Sequence, residues 1–185
     1  MREEADLIAR LQDPVRREAA FRDLLSQYQE RLYWHIRRIV LAHEDADDVL
    51  QNTCIKIYRH IDAFKGESKL YSWMYRIATN EALSFLKKQA KLRGISEGEL
   101  QERMLGNLEA DPYFDGDSAR LMLQRALAQL PEKQRQVFNL KYFEEMKYED
   151  MSELLETSVG ALKASYHLAV KKVEIYIKAK SADAL

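Results

Sequence analysis

The sequence predicts an all-α protein made of two small helical domains joined by a flexible linker. Three observations carry that expectation. Apolar residues recur three or four positions apart through most of the chain, the spacing of a buried helical stripe. Only 6 glycines and 3 prolines punctuate 185 residues, too few for the many turns of an all-β fold. Charge is also unevenly shared. Residues 1–90 carry 15 Lys/Arg against 14 Asp/Glu, residues 91–118 carry 3 against 7, and residues 119–185 carry 11 against 9. The acidic middle stretch holds Gly94, Gly98, Gly106, Pro112 and Gly116 and keeps no long apolar period. It reads as a flexible linker over 91–118, between a domain at 1–90 and a domain at 119–185. An extra helix at about 97–108 is the alternative for part of it.

Composition excludes several classes. With 46% hydrophobic and 32% charged residues, a core can form and wholesale disorder is not expected. No apolar run reaches the roughly 18 to 20 residues of a membrane span. The start, Met1-Arg2-Glu3-Glu4, has no apolar segment behind it, so no secretory signal is expected. A single cysteine, Cys54, leaves no internal disulfide, and His35, His43, His60 and His167 lie far apart. No structural zinc site, other metal or cofactor is expected on that ligand set. The expectation is a soluble protein of a reducing compartment.

In the first domain a short helix at about 3–12 stops before Asp13-Pro14, and Pro14 suits the first turn of a second helix that runs to about Ala42. Phe21, Leu24, Leu25, Tyr28, Leu32, Ile36, Ile39 and Val40 supply its apolar stripe. A third helix starts in the acidic cluster at 44–48. Beside His43 that cluster could suggest a metal site. Carboxylates at a helix N-terminus are favoured by the dipole, and Asp45 with Asp48 resembles a capping box. At about 100° per residue, Ala46, Leu50, Thr53, Cys54, Ile57 and Ile61 then face inward. Asp48, Gln51, Asn52, Ile55 and Arg59 face outward, with Tyr58 at the edge. An isoleucine among outward polar groups is either a small docking surface or an ordinary exposed residue.

The turn Phe64, Lys65, Gly66, Glu67, Ser68 leads into a fourth helix whose core stripe is Leu70, Trp73, Met74 and Ile77. Lys69, Arg76, Asn80 and Lys87 project within roughly 40° of one another on that helix, and Trp73 borders them. A basic row with an amide, an aromatic edge and a glycine loop suits a nucleic-acid strand. Cations would hold phosphates, Asn80 would read a base edge, and the loop would receive an unstacked base. A merely solvated basic face is the other reading.

In the second domain an amphipathic helix at 121–130 is followed by Pro131 at the first position of the next helix, 133–143, which buries Val137, Phe138 and Leu140. Helices at 148–155 and 158–178 come next, separated by Glu156-Thr157-Ser158, with Ser158 as N-cap. A short helix, a tight turn and a longer helix make a helix-turn-helix candidate. Val159, Leu162, Tyr166, Ala169, Val173 and Ile177 share one side of the long helix. Gly160, Lys163, Ala164, His167, Lys171 and Lys178 share the other. The small residues let a helix approach a groove, and Lys and His reach phosphates or base acceptors. Such hairpins also occur as pure packing units.

Together these pieces resemble the extracytoplasmic-function (ECF) class of bacterial sigma factors, in the sigma-70 family. The resemblance rests on DADDVLQNT at 45–53, FKGES at 64–68, WMYRIATN at 73–80, Leu130-Pro131 before a helix, and YEDMSELLETSVGALKASYHLAVKK at 148–172. It covers about 15–90 and 119–178, and SVGALKASYH is similar to the Bacteroidetes branch. The resemblance implies that the first domain is a region 2 bundle whose Asp48, Gln51, Asn52, Ile55 and Arg59 bind the RNA polymerase core. Phe64, Lys65, Gly66, Glu67, Ser68, Lys69, Trp73, Arg76, Asn80 and Lys87 would then read the minus-ten promoter element. The second domain would be a region 4 module placing Ser158, Gly160, Lys163, Ala164, His167 and Lys171 in the major groove of the minus-thirty-five element. The family further implies a cytoplasmic, non-catalytic protein held by an anti-sigma partner that is membrane-anchored.

Two departures from the family pattern stand out. Ser165, Leu168 and Val170 occupy places where relatives often carry arginine, and Glu156 replaces the usual glycine before the turn. With a net charge of −1, the chain is expected to bind duplex DNA poorly without polymerase, because each phosphate contact needs a cation. Three other classes fit parts of the sequence. A free-standing helix-turn-helix regulator would need a dimer seam, which the sequence does not offer. A metal hydrolase built on 43–48 lacks a second ligand cluster and a nucleophile. A protein-only adaptor follows if the basic rows are simply solvated.

Overall fold

The computed structural model describes residues 2–108 and 118–182. All regular structure among the described residues is helical: α1 Arg2–Gln12, α2 Arg17–Val40, α3 His43–His60, α4 Leu70–Arg93, α5 Glu97–Leu108, α6 Ser118–Ala128, α7 Glu132–Phe138, α8 Tyr148–Leu155 and α9 Val159–Ala182. They form two compact units, Met1–Val40 with Glu44–Phe85, and Leu41–His43 with Leu86–Leu185.

In the first unit, α2 starts at Arg17 rather than at Pro14. The reason is local: the Val15 N–H donates to Asp13 Oδ1 at 2.9 Å, and the Arg16 and Arg17 N–H groups donate to the Asp13 carbonyl at 3.1 and 2.8 Å. Asp13 thus holds a turn where a helix could have begun. The bundle buries Leu24, Leu32, Ile36 and Val40 of α2, Ala46, Val49, Leu50 and Ile57 of α3, and Leu70, Met74, Tyr75, Ala78 and Ala82 of α4. Phe21 of α2 meets Tyr58 of α3 edge-on, with ring centroids 5.0 Å apart. Cys54, expected on the inner side, is half-buried, and burial pushes its thiol pKa up.

The second unit is built around α9. Ala126, Leu127, Leu130, Phe138, Ala169 and Val173 form its buried cluster, with Tyr166 and Ile177 packed against it. Val137, Phe138 and Leu140 are buried as expected, but α7 does not continue regularly to Phe143. It passes into a π-helical turn over Asn139–Phe143. Pro131 stands one place earlier than expected, as the N-cap of α7, and its carbonyl accepts the Arg135 N–H at 3.0 Å.

The stretch 91–108, expected as flexible linker with a helix at about 97–108 as the alternative, is largely helical, and the alternative helix is present. α4 runs on to Arg93 and closes at Gly94, whose φ is +63°, with the Ile95 N–H donating to the Ala90 carbonyl at 3.1 Å. α5 then starts from a reciprocal cap. Ser96 N–H donates to Glu99 Oε2 at 2.8 Å, and Glu99 N–H donates to Ser96 Oγ at 3.2 Å. Leu100 and Leu105 of α5 are buried, and Leu105 clusters with Leu41, Met104, Leu121 and Ala128. Burial of these apolar residues outweighs two glycines, each worth about 1 kcal/mol against a helix. The rest of the expected linker, 109–117, lies outside the described residues.

Candidate nucleic-acid and protein interfaces

The outward side of α3 is laid out as its periodicity requires. Asp48, Gln51, Asn52, Ile55 and Arg59 are all exposed. Ile55 and its neighbour Tyr58 are among the few large apolar side chains left at the surface of this unit, at 43% and 38%. A polar rim around an apolar centre is the form of a protein docking patch. The acidic first turn, Glu44 and Asp45, sits at the helix N-terminus. Among the described residues no group of three or more His, Cys, Asp or Glu side chains is placed to hold a metal ion.

Between α3 and α4 the chain makes a 3₁₀ turn over Ile61–Ala63, then an extended residue, Phe64, then Gly66 at φ +72°. Left-handed backbone of this kind favours glycine. Phe64 is 5% exposed and packs its ring 5.3 Å from that of Trp73. It anchors the loop from below. Lys65, Gly66, Glu67 and Lys69 are exposed and Ser68 is half-buried, so the part of the loop open to a ligand is 65–69. On α4, Asn80 and Lys87 are exposed and Arg76 and Trp73 half-buried, opposite the buried Leu70, Met74, Ala78 and Ala82. The basic row therefore lies along the side of the helix facing away from the core. Lys56 does not extend it: its ammonium pairs with Glu81 of α4.

Sequence reasoning missed what holds the loop. Gln12 Nε2 donates to the carbonyls of Ile61 at 3.2 Å and Phe64 at 2.9 Å. Arg17 pairs with Asp62 and donates from Nε to the Leu11 carbonyl at 2.9 Å. Glu4 Oε1 accepts the Leu70 N–H at 2.8 Å, capping the start of α4 from α1. The bonds of Gln12, of Arg17 to Asp62 and of Glu4 join residues 45 to 66 places apart, and no local pattern announces them.

In the second unit, α8 and α9 form the helix-turn-helix. Glu156 takes the left-handed conformation, φ 50° and ψ 42°, and its N–H and that of Thr157 both donate to the Ser152 carbonyl, the latter at 3.2 Å. Glu156, where the resemblance implies a glycine, thus makes the turn itself. Ser158 caps α9, its Oγ accepting the Ala161 N–H at 3.3 Å. Ser158, Gly160, Lys163, Ala164, His167 and Lys171 are all exposed, while Leu162, Ala169 and Val173 are buried. α9 contains no arginine, and Leu168 is 48% exposed beside His167. One further residue belongs to this surface. The ring of Tyr148, at the start of α8, receives two ammonium groups: Lys141 Nζ at 4.9 Å and Lys163 Nζ at 5.7 Å from its centroid. Burial pushes the Tyr148 phenol pKa up. Lys141 also donates to the Met146 carbonyl at 3.2 Å.

A small helical bundle carrying a basic row beside a glycine loop, and a second unit built as a helix-turn-helix, define a DNA-binding transcription factor of the sigma type. Comparison with known proteins agrees. Residues 24–92 match Sigma-70 region 2, and residues 120–173 match Sigma-70, region 4. The chain is 32% identical over 170 residues to the ECF RNA polymerase sigma-E factor of Haemophilus influenzae, covering 84% of this chain and 86% of that one. It is 29% identical over 188 residues to the RNA polymerase sigma-H factor of Pseudomonas aeruginosa, covering 93% and 92%. The chain belongs to the ECF class of the sigma-70 family and is an RNA polymerase sigma factor, acting with core enzyme on promoter DNA to initiate transcription. That family consists of initiation factors, not enzymes. Its fold is shared by CnrH, solved in complex with the cytosolic domain of CnrY (TM-score 0.71, 20% identity, 95% of this chain and 97% of that one). It is also shared by RpoE of Bartonella quintana, solved with the anti-sigma factor NepR (TM-score 0.66, 21% identity, 85% and 96%). Among the described residues no helix is long and apolar enough to cross a membrane.

Proposed function

We propose that three surfaces divide the work of initiation. The outward side of α3, centred on Ile55 with Asp48, Gln51, Asn52 and Arg59 around it, docks on the polymerase core. The loop 65–68, anchored by the buried Phe64, and the row Lys69, Trp73, Arg76, Asn80 and Lys87 take the minus-ten strand. The exposed side of α9 from Ser158 to Lys171 takes the minus-thirty-five duplex. The observation that carries this reading is the position of three exposed residues, Lys69 just before α4 and Asn80 and Lys87 on the side of α4 opposite its buried residues, next to a glycine loop anchored by Phe64.

The chain supplies no bond chemistry in this reading. Opening follows from binding the separated strand better than the duplex, since a ligand shifts an equilibrium only by its differential affinity. An extruded base costs a few kcal/mol of stacking. The cations of the row and the exposed crown of the loop, 65–67, offset that cost only when the strand is free. The working division of the chain is a core-binding and strand-reading domain at 1–90, a connecting segment at 91–118 and a duplex-reading domain at 119–185. The protein works in the cytoplasm, and an anti-sigma partner, membrane-anchored, silences it by covering these surfaces. The complexes of CnrH with the cytosolic domain of CnrY and of RpoE with the anti-sigma factor NepR support a protein partner of this kind.

The test separates the surfaces. Ile55→Glu should abolish co-purification with core polymerase while leaving the fold intact. Asn80→Ala with Arg76→Ala should retain core binding but reduce permanganate reactivity of the promoter bubble. The reverse pattern would overturn the assignment.

A further inference from the structure

The region 2 match begins at residue 24, yet the loop it contains is held from outside that match. Gln12 bridges the two ends of the turn by donating to both Ile61 and Phe64 carbonyls, Arg17 pairs with Asp62 inside it, and Glu4 fixes its exit by accepting the Leu70 N–H. α1 itself is seated in the core by Leu7 and Leu11, which are 7% and 0% exposed. Arg10 ties it to α2 through Asp23 at 2.9 Å. A rigid element thus reaches both stems of a short loop whose crown, 65–67, is exposed.

We propose that α1 and its junction with α2 position this loop for base capture, with Gln12 and Glu4 as the positioning residues. The inference rests on the strand-reading role proposed above for the loop. Its physical basis is pre-organisation. A loop that must be ordered when the base arrives loses binding energy to conformational entropy, whereas a loop already held at its stems does not. Gln12 is suited to this because one amide group donates twice, to acceptors on either side of the turn, and so fixes the distance between them. Glu4 adds the helix cap that sets where α4, and with it the basic row, begins.

The experiment uses the full chain assembled with core polymerase. The probe is a fluorescent single-stranded oligonucleotide selected by the wild-type holoenzyme from a random pool. Its abasic derivatives, one position at a time, identify the captured base as the position whose removal weakens wild-type binding most. Gln12→Ala removes two hydrogen bonds and should weaken binding of the intact strand about 5-fold to 30-fold. It should bind the strand abasic at the captured position as wild type does. Glu4→Ala should act likewise, and Glu4→Gln, which keeps the acceptor oxygen, should restore binding to within about 2-fold. A merely destabilised fold would weaken every oligonucleotide equally, and that result overturns the inference. Unchanged binding by Gln12→Ala and Glu4→Ala also overturns it. If wild type itself has no abasic-sensitive position, base capture by the loop fails, and the inference falls with it. If wild type has one and the variants retain it, only the role of α1 fails. Should Gln12→Ala not fold, the Glu4→Ala and Glu4→Gln pair decides alone.

Discussion

His35 of α2 and Thr79 of α4 are joined inside the first unit, imidazole Nε2 to hydroxyl Oγ1, at 2.8 Å. The ring is buried against Tyr75, with centroids 4.8 Å apart. Its Nδ1 has no hydrogen-bond partner among the described residues. Burial, with the charge of Arg38 nearby, pushes the imidazole pKa from 6.5 down to about 3. The folded protein therefore keeps His35 neutral where the unfolded chain takes up a proton.

From that relationship follows a pH dependence with a fixed sign. The contribution is fully present above about pH 6.5 and is lost as pH falls toward 3, at ~1.4 kcal/mol per pH unit in the steep range. His35→Phe, which keeps an apolar ring beside Tyr75, should remove this part of the slope. Urea unfolding at pH 7 and pH 4.5 measures it: wild type should lose more stability than the variant. Equal losses would contradict the assignment.

Tyr148 and Lys163 make a second testable pair. The ring lies on α8 and the ammonium comes from α9, among the residues proposed to face the duplex. A cation over an aromatic face is worth about 0.5–1 kcal/mol at an exposed site. Tyr148→Leu should therefore weaken holoenzyme binding to a minus-thirty-five duplex by roughly 2-fold to 5-fold, and Tyr148→Phe should not. If the aromatic face orients Lys163 toward a phosphate, the slope of log Kd against log salt should fall by about one contact in the leucine variant. An identical loss in a Lys163→Ala background would show that the pair is not coupled.

Glu156 offers a gain of stability. A non-glycine residue at φ 50° bears a left-handed penalty of roughly 1–2 kcal/mol, offset in part by the greater entropy that glycine loses on folding. Glu156→Gly should stabilise the second unit by about 0.5–1 kcal/mol, read as a higher melting temperature. A lower one would mean that the glutamate side chain contributes more than the backbone strain removes.

How far these features could be read from the chain varies with their range. Helices with a strong apolar side were legible: Tyr148–Leu155 appears with its expected bounds, and Ser158 caps α9 as its residue type suggested. So was the exposure of Ile55 and of Asn80, because 100° per residue fixes which side of a helix each takes. α5 was obscured because Gly98 and Gly106 dilute a pattern whose buried members, Leu100 and Leu105, are few. Phe64 read as part of the ligand-facing loop, yet it is buried, because an extended residue between a 3₁₀ turn and a glycine can turn its ring onto Trp73. Gln12 and Glu4 were beyond reach: their partners lie 49, 52 and 66 residues away. Only the folded chain brings them together.

In the function proposed above, this chain selects promoters for RNA polymerase by presenting one surface to the enzyme and others to DNA. Run-off transcription with purified core polymerase on a promoter library tests it most directly. Adding the chain should produce transcripts from a discrete set of start sites sharing minus-ten and minus-thirty-five elements, and Ile55→Glu should abolish them. Start sites no different from those of core enzyme alone would contradict the account.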